Sequence, residues 1–121
     1  MTKAKQMISF VTMKGSNPGE FEELILLAVA KLFDDAYGVA IQDELRSIGR
    51  TVALSTIHVA MFRLERKGWL ESRFDGATSQ RGGRRKHLYR VTASGHAALA
   101  HSRQTREQLW RSIPKAAFKM S

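Results

Sequence analysis

The sequence predicts an α+β fold, a winged helix-turn-helix with a C-terminal dimerisation helix. Three observations predict it: an amphipathic helix at residues 55–67, two strand-like stretches at 69–74 and 86–92 joined by a glycine- and arginine-rich tip, and a new helix start directly after the second strand. A helix followed by a basic hairpin is the order that places one helix in a DNA major groove and a wing on the flanking backbone. At 121 residues, the chain is long enough for one such domain and its flanking segments.

The expected domain organisation has three parts. Residues 1–18 form a flexible N-terminal extension, unless Met13 is the native start. Residues 19–92 form the winged helix-turn-helix, and residues 93–121 form the C-terminal dimerisation helix and tail.

Charge is distributed unevenly along the chain, which has a formal net charge of +9 and a pI near 10.5. Residues 19–49 hold seven acidic and two basic residues, a net charge of −5. Residues 50–121 hold fifteen basic and four acidic residues, a net charge of +11. A polyanion is therefore expected to bind the second part of the chain.

Composition and spacing argue against several other function classes. Cysteine is absent, which excludes disulfides, thiolate zinc sites and cysteine redox switches. The four histidines and the acidic pairs lack metal-ligand or catalytic spacing, so we expect no enzyme activity, no metal and no cofactor. The longest apolar run, residues 24–30, is too short to span a membrane, and no signal-peptide pattern precedes it. We therefore expect a cytoplasmic protein.

The first predicted helix covers residues 20–33. Acidic residues in its first turn favour a helix start, because they interact with the helix dipole. The following segment, LILLAVA, is apolar nearly all round. We therefore expect this helix to be covered on more than one side, in part by a partner subunit.

The second predicted helix covers residues 39–48, with a core stripe of Ile41, Leu45 and Ile48 and a stop at Gly49. Tyr37 and Gly38 precede it, and two compatible interpretations apply to them. They form a turn glycine beside a half-buried tyrosine, or the tyrosine hydroxyl and the amides at the helix start hold a phosphate.

The third predicted helix follows a short connector at residues 50–54, is capped by Ser55 or Thr56 and extends to about Lys67, with Gly68 ending it. An ordinary surface helix has the same periodicity, but polar residues at its start and arginines farther along favour contact with DNA bases and phosphates. Val59 is a candidate for a thymine methyl contact, Arg63 for guanine or phosphate, and Phe62 for contact with the wing. The predicted buried face holds Ile57, Ala60, Met61 and Leu64; the opposite face holds Ser55, Val59, Phe62 and Arg66, flanked by Thr56, His58 and Arg63.

The predicted wing is strongly basic. A run of charges is often only a solvated surface, but Gly82 and Gly83 allow the backbone to approach a phosphate or enter a narrow minor groove. Directly after a DNA-reading helix, this hairpin is expected to contact DNA. The basic residues of the wing are Arg81, Arg84, Arg85, Lys86 and Arg90, of which Arg90 is expected to face solvent.

The last predicted helix covers residues 93–113, with Thr92 as its cap and Pro114 helping to stop it. Its side chains repeat at alternating spacings of three and four, which indicates a short and imperfect dimer seam. Arg106 is expected to extend to the edge of that seam. The seam consists of Leu99, Ser102, Arg106, Leu109 and Ile113, with Trp110 on its border.

The chain resembles the PadR family of bacterial transcriptional regulators over residues 19–99. The resemblance rests on GEFEELILLAVAKL, AYGVAIQDEL, STIHVAMFRLERKGWLES and RGGRRKHLYRVTASGHAAL, in that order. It implies a homodimeric winged-helix repressor whose C-terminal helix makes the dimer. His58 stands where the family usually has tyrosine, so a hydroxyl contact is replaced by an imidazole that can donate, accept or bind a proton.

The resemblance also implies a second interpretation of Trp110. In some relatives, a pair of tryptophans at the two-fold axis stacks planar aromatic ligands, so the dimer seam is a candidate pocket for a small aromatic or hydrophobic effector. The function expected from the sequence is a ligand-responsive, sequence-specific repressor that binds a pseudo-palindromic operator as a homodimer. Two alternatives stay open: a non-specific or architectural nucleic-acid binder, and a winged-helix protein-interaction module.

Overall fold

A computed structural model describes residues 17–75 and 86–119 of the chain. It confirms the predicted α+β winged-helix arrangement, and a short 3-10 helix follows each of the first and last helices, at Phe33–Asp35 and Lys115–Phe118. In chain order, the main elements are α1 (Glu20–Leu32), α2 (Gly38–Ser47), α3 (Leu54–Arg66), β1 (Leu70–Phe74), β2 (His87–Val91) and α4 (Ala93–Ser112).

The hydrophobic core lies where α1, α2 and α3 pack together against the base of the hairpin. The predicted buried face of α3 is confirmed, because Ile57, Ala60, Met61 and Leu64 are all buried. The helix ends are also as predicted: Gly49 and Gly68 have φ of +86° and +85°, the left-handed conformation that commonly follows a helix end. The largest fully buried side chains are Ile25, Leu26, Val29, Ile41, Leu45, Ile57, Met61, Leu64 and Leu70.

Strand β2 of the hairpin is hydrogen-bonded along both of its edges. Strands β1 and β2 pair antiparallel, with Leu70 opposite Val91 and Phe74 opposite His87. On the other edge of β2, the Tyr89 amide donates to the Ala36 carbonyl at 2.8 Å. The base of the wing is therefore fixed to the segment that leads into α2.

Thr92 joins the hairpin to the last helix, and its predicted role as the cap of α4 is confirmed. Its Oγ1 accepts a hydrogen bond from the Gly95 amide at 3.0 Å and donates one to the Gly68 carbonyl at 2.6 Å. The Thr92 amide donates to the Trp69 carbonyl at 3.0 Å. The start of α4 is therefore bonded to the segment that ends α3, which we call the Thr92 junction.

The first half of the predicted dimer seam packs against the chain's own α1 and core, which corrects the assignment of Leu99 and Ser102 to that seam. Leu99 packs against the core, and Ser102 is buried. The Ser102 hydroxyl and the Arg106 guanidinium donate to the two carboxylate oxygens of Glu23, at 3.3 and 2.5 Å. Arg106, which was predicted to extend to the edge of the seam, binds a carboxylate within its own chain, and 54% of its side chain is exposed. Glu23 is 83 residues away in sequence from Arg106, and the helical spacing of α4 gives no sign of this contact.

Two further sequence predictions are wrong. Ile48 is 59% exposed, because α2 ends at Ser47 and Ile48 no longer follows the helical stripe. Neither Ser55 nor Thr56 caps α3, because the helix begins at Leu54 and Ala53 is the N-cap residue, without a side-chain hydrogen bond. The amides of Thr56 and Ile57 donate instead to the Ala53 carbonyl.

The uncapped start of α3 leads to a stability prediction. Ala53 has the extended backbone of an N-cap residue, with φ −67° and ψ 145°, but its side chain has no oxygen to accept from the amides of the first turn. We expect Ala53→Ser to raise the free energy of unfolding by about 1 kcal/mol, because serine supplies that acceptor. Urea unfolding measures this, with Ala97→Ser as the control at an exposed position inside α4. Equal effects of the two substitutions would contradict the assignment of Ala53 as the cap.

Candidate nucleic-acid interface

The exposed face of α3 combines apolar and basic side chains. Val59 and Phe62 lie on it with exposed fractions of 52% and 58%, although both are large hydrophobic residues. Arg63 and Arg66 are exposed beside them, and Ser55 and Thr56 are exposed in the first turn. The predicted candidate residues of this helix are thus brought together on one accessible surface.

The start of α2, the middle of α3 and the hairpin surround an open cavity of about 590 Å³. At its edge, His58 packs closely against Gly38, where an added Cβ would lie 2.5 Å from the His58 Nε2. The Lys86 ammonium lies 4.5 Å from the centre of the half-buried Tyr37 ring. The sequence-predicted residues Tyr37, Gly38, His58 and Lys86 therefore line one cavity, and Phe62 of α3 lines it as well.

Three aromatic rings stack along the paired strands of the wing. The His87 ring lies between Phe74 and Tyr89, with ring centres 4.4 and 4.6 Å apart. Burial, together with the nearby Glu65 carboxylate, raises the pKa of the Tyr89 hydroxyl. Tyr89 therefore stays neutral at physiological pH and acts as a packing residue, and it contributes no charge to the surface.

Ion pairs within the chain neutralise five of the nine basic side chains in the described winged-helix residues, 17–75 and 86–92. Exposed pairs of this kind add little stability, but each one reduces the positive charge at its position. Arg90, which was expected to face solvent alone, is exposed and pairs with Asp34 at 3.0 Å. The other pairs in the winged-helix part are Lys31 with Glu44, Arg46 with Asp43, Arg50 with Glu20, and Lys67 with Glu22.

Four basic residues remain without a carboxylate partner in the described part of the winged-helix region, residues 17–75 and 86–92: Arg63, Arg66, Arg73 and Lys86. They belong to α3 and to the hairpin that follows it. Arg73 is not among the residues predicted from the sequence; its position among the alternating residues of the first hairpin strand was the available signal. We call these four residues the unpaired basic residues.

The remaining predicted wing bases, Arg81, Arg84 and Arg85, lie outside the described residues. At the other end of the protein, Leu109 and Trp110 are each 65% exposed, and Ile113 directly follows α4. The Trp110 ring stacks with Phe118 of the short C-terminal 3-10 helix, with ring centres 6.2 Å apart. Part of the surface predicted for an effector is therefore in contact with the chain's own tail.

Two features associated with other protein classes do not occur in the described ranges. Within residues 17–75 and 86–119, every helix is too short or too polar to cross a bilayer. The same ranges hold no group of three or more histidine and carboxylate side chains placed to bind a metal ion.

Comparison with known proteins gives one family and many similar structures. The model of the transcriptional regulator PadR-like family matches residues 26–101. A PadR family transcription regulator from Clostridium difficile is 25% identical with a TM-score of 0.64, and the match covers 77% of this chain and 93% of that one. A PadR family regulator from Eggerthella lenta is 23% identical with a TM-score of 0.63, covering 99% and 100%.

A third similar structure was determined with DNA. Bacillus subtilis PadR in complex with operator DNA is 20% identical, with a TM-score of 0.56, and the match covers 78% of this chain and 49% of that one. No curated protein sequence matches significantly.

Proposed function

Because the chain belongs to the PadR-like family of transcriptional regulators, we propose that it is a sequence-specific repressor that binds a pseudo-palindromic operator as a homodimer. The family match spans residues 26–101 and so includes α3 and the whole hairpin. The complex of Bacillus subtilis PadR with operator DNA supports the same kind of partner for this chain. Its working location is then the cytoplasm, where the operator is.

The clustering of the unpaired basic residues on α3 and the hairpin is the observation that carries this proposal. DNA phosphates attract basic side chains whose charge is not already neutralised, and this attraction supplies much of the affinity for DNA. In the proposed complex, α3 lies in the major groove, with Ser55 and Thr56 directed at base edges. Tyr37, His58 and the amide end of α2 at Gly38 contact the backbone beside the groove. The wing bases Arg81, Arg84, Arg85 and Lys86 bind phosphates on the flanking backbone.

Dimerisation through α4 is supported by its exposed apolar side chains. Leu109 and Trp110 are exposed in the isolated chain, and so is Leu27 on α1, with an exposed fraction of 49%. Arg106 is bonded to Glu23 of its own chain, so the proposed contact is made mainly by residues that follow Arg106 in sequence, including Ile113. A second subunit would cover apolar surface that otherwise faces water.

Regulation by a small aromatic or hydrophobic effector is part of the proposal. Trp110 and Phe118 present stacked ring faces at the end of α4, where a planar ligand can stack. Such a ligand changes DNA binding only if its affinity differs between two arrangements of the protomers. An effector at the subunit contact would then alter the distance between the two α3 helices.

Fluorescence anisotropy tests the proposed function. The full chain is used to select a duplex from a randomised pool, and its affinity is compared with that for a scrambled duplex at two salt concentrations. We expect the selected duplex to bind at least ~10³-fold more tightly. Equal and strongly salt-dependent binding would replace the proposal with a non-specific or architectural binder. No binding at low salt would favour a protein-interaction module.

A further inference from the structure

We propose that Val59 and Phe62 read the 5-methyl groups of two thymines in the major groove, so that each operator half-site carries thymines at most two base steps apart on one strand. The inference deepens the proposed function and rests on it, because it assigns a base type to the surface of α3. We call the Val59 and Phe62 pair the apolar ridge.

The position of the apolar ridge supports a contact and argues against a role in the core. Both side chains lie on the face opposite to the buried residues of α3, and more than half of each is exposed. Residues three apart on a helix are neighbours, with Cβ atoms about 5–6 Å from each other. Val59 and Phe62 therefore form one continuous apolar surface, which is exposed until a partner covers it.

The charges around the apolar ridge identify the partner. Arg63 is next to Phe62 in sequence and has no carboxylate partner among the described residues, and the Arg66 guanidinium lies 5.8 Å from the centre of the Phe62 ring. The Glu22 carboxylate at the edge of this face is already bonded to Lys67. An apolar strip bordered by arginines without carboxylate partners among the described residues matches the major groove, where apolar methyl groups lie between two rows of phosphates.

Thymine is the base that satisfies an apolar side chain in the major groove. Its C5-methyl group is the apolar feature presented there, while the other base edges present hydrogen-bond donors and acceptors. Bases of one strand are spaced by about 3.4 Å along the helix axis. A Cβ separation of about 5–6 Å between Val59 and Phe62 therefore matches methyl groups one or two base steps apart.

Replacement of thymine by deoxyuridine tests the inference, because it removes only the methyl group. The probes are duplexes derived from the selected sequence, with each thymine replaced in turn. We expect the affinity of the parent protein to fall about fourfold at two positions of a half-site, the value of one buried methyl group. Val59→Ala is expected to abolish the effect at one position, and Phe62→Ala at the other.

Controls separate this inference from the proposed function. Ile48→Ala truncates a residue of similar exposure, 59%, at the end of α2, and is expected to keep the parent's deoxyuridine profile. A selected duplex that shows no deoxyuridine effect, or variants that keep both effects, would overturn the inference and leave sequence-specific binding intact. Failure to select any sequence would overturn the proposed function itself. Thermal unfolding midpoints equal to that of the parent establish that the two truncated proteins keep the fold.

Discussion

Replacing Arg63 and Lys86 together by alanine is expected to weaken binding to the selected operator by on the order of 100-fold, since removing one arginine that binds a base costs about 1–3 kcal/mol and removing a phosphate-binding lysine adds to it. Arg63 is on the exposed face of α3, and Lys86 begins the second half of the hairpin beside Tyr37. Neither has a carboxylate partner in the part of the chain that the structure describes, so their charge is available to DNA.

Anisotropy titrations at several salt concentrations measure this change and its electrostatic share. If both side chains contact phosphates, the slope of log K against log salt becomes shallower by about 2, whereas a base contact by Arg63 leaves a change of about 1. The matched control is the double variant Arg103→Ala and Arg111→Ala, which removes the same charge from the exposed surface of α4. An equal reduction of affinity in the control would show that net charge matters and that the assigned interface does not.

Gly95→Ala is expected to lower the free energy of unfolding by roughly 3 kcal/mol, the upper part of the range for inserting a methyl group where no space exists. An added Cβ would lie 2.3 Å from the Trp69 carbonyl oxygen and 2.8 Å from the Val91 Cγ1. The first of these is a backbone atom, and the Thr92 amide already holds it in a hydrogen bond. Relief therefore requires α4 to move away from the end of α3.

Urea unfolding of Gly95→Ala against the parent measures this cost. Gly19→Ala is the matched control, because an added Cβ there meets no atom within 4 Å. At this N-cap position of α1 we expect the free energy of unfolding to fall by at most about 1 kcal/mol. A Gly95→Ala protein as stable as the Gly19→Ala control would contradict the close packing at the Thr92 junction.

Local sequence patterns are sufficient for the elements and for most of the core. Helical periodicity identifies the buried face of α3, turn chemistry places Gly49 and Gly68 after helix ends, and Thr92 has the position of a cap. The start of α3 is not predictable in this way, because it depends on packing. Val52, just before the helix, packs against the core, and its carbonyl accepts a hydrogen bond from the Gln42 side-chain Nε2, which positions the chain without a side-chain cap.

Contacts between distant residues account for what the sequence does not predict at the candidate interface. Which basic side chains lack a carboxylate partner depends on contacts between distant parts of the chain. For example, Lys67 pairs with Glu22 across 45 residues of sequence. The same holds for Arg90 with Asp34. Arg73 was not predicted, because the basic run at residues 81–90 directed attention to the second half of the hairpin. The ion pairs distinguish Arg73, which has no carboxylate partner among the described residues, from Arg90, which pairs with Asp34.

The Thr92 junction has a mechanical consequence for regulation. Because it bonds the end of α3 to the start of α4, we expect those two helices to turn together. Helix α4 has 20 residues and therefore spans about 30 Å. A rotation of about ten degrees about its C-terminal end moves its N-terminal end, at the Thr92 junction, by about 5 Å. That displacement exceeds the rise of one base pair, about 3.4 Å. In the proposed homodimer, a small angular change where the subunits meet is therefore enough to move the reading helices out of register with their half-sites.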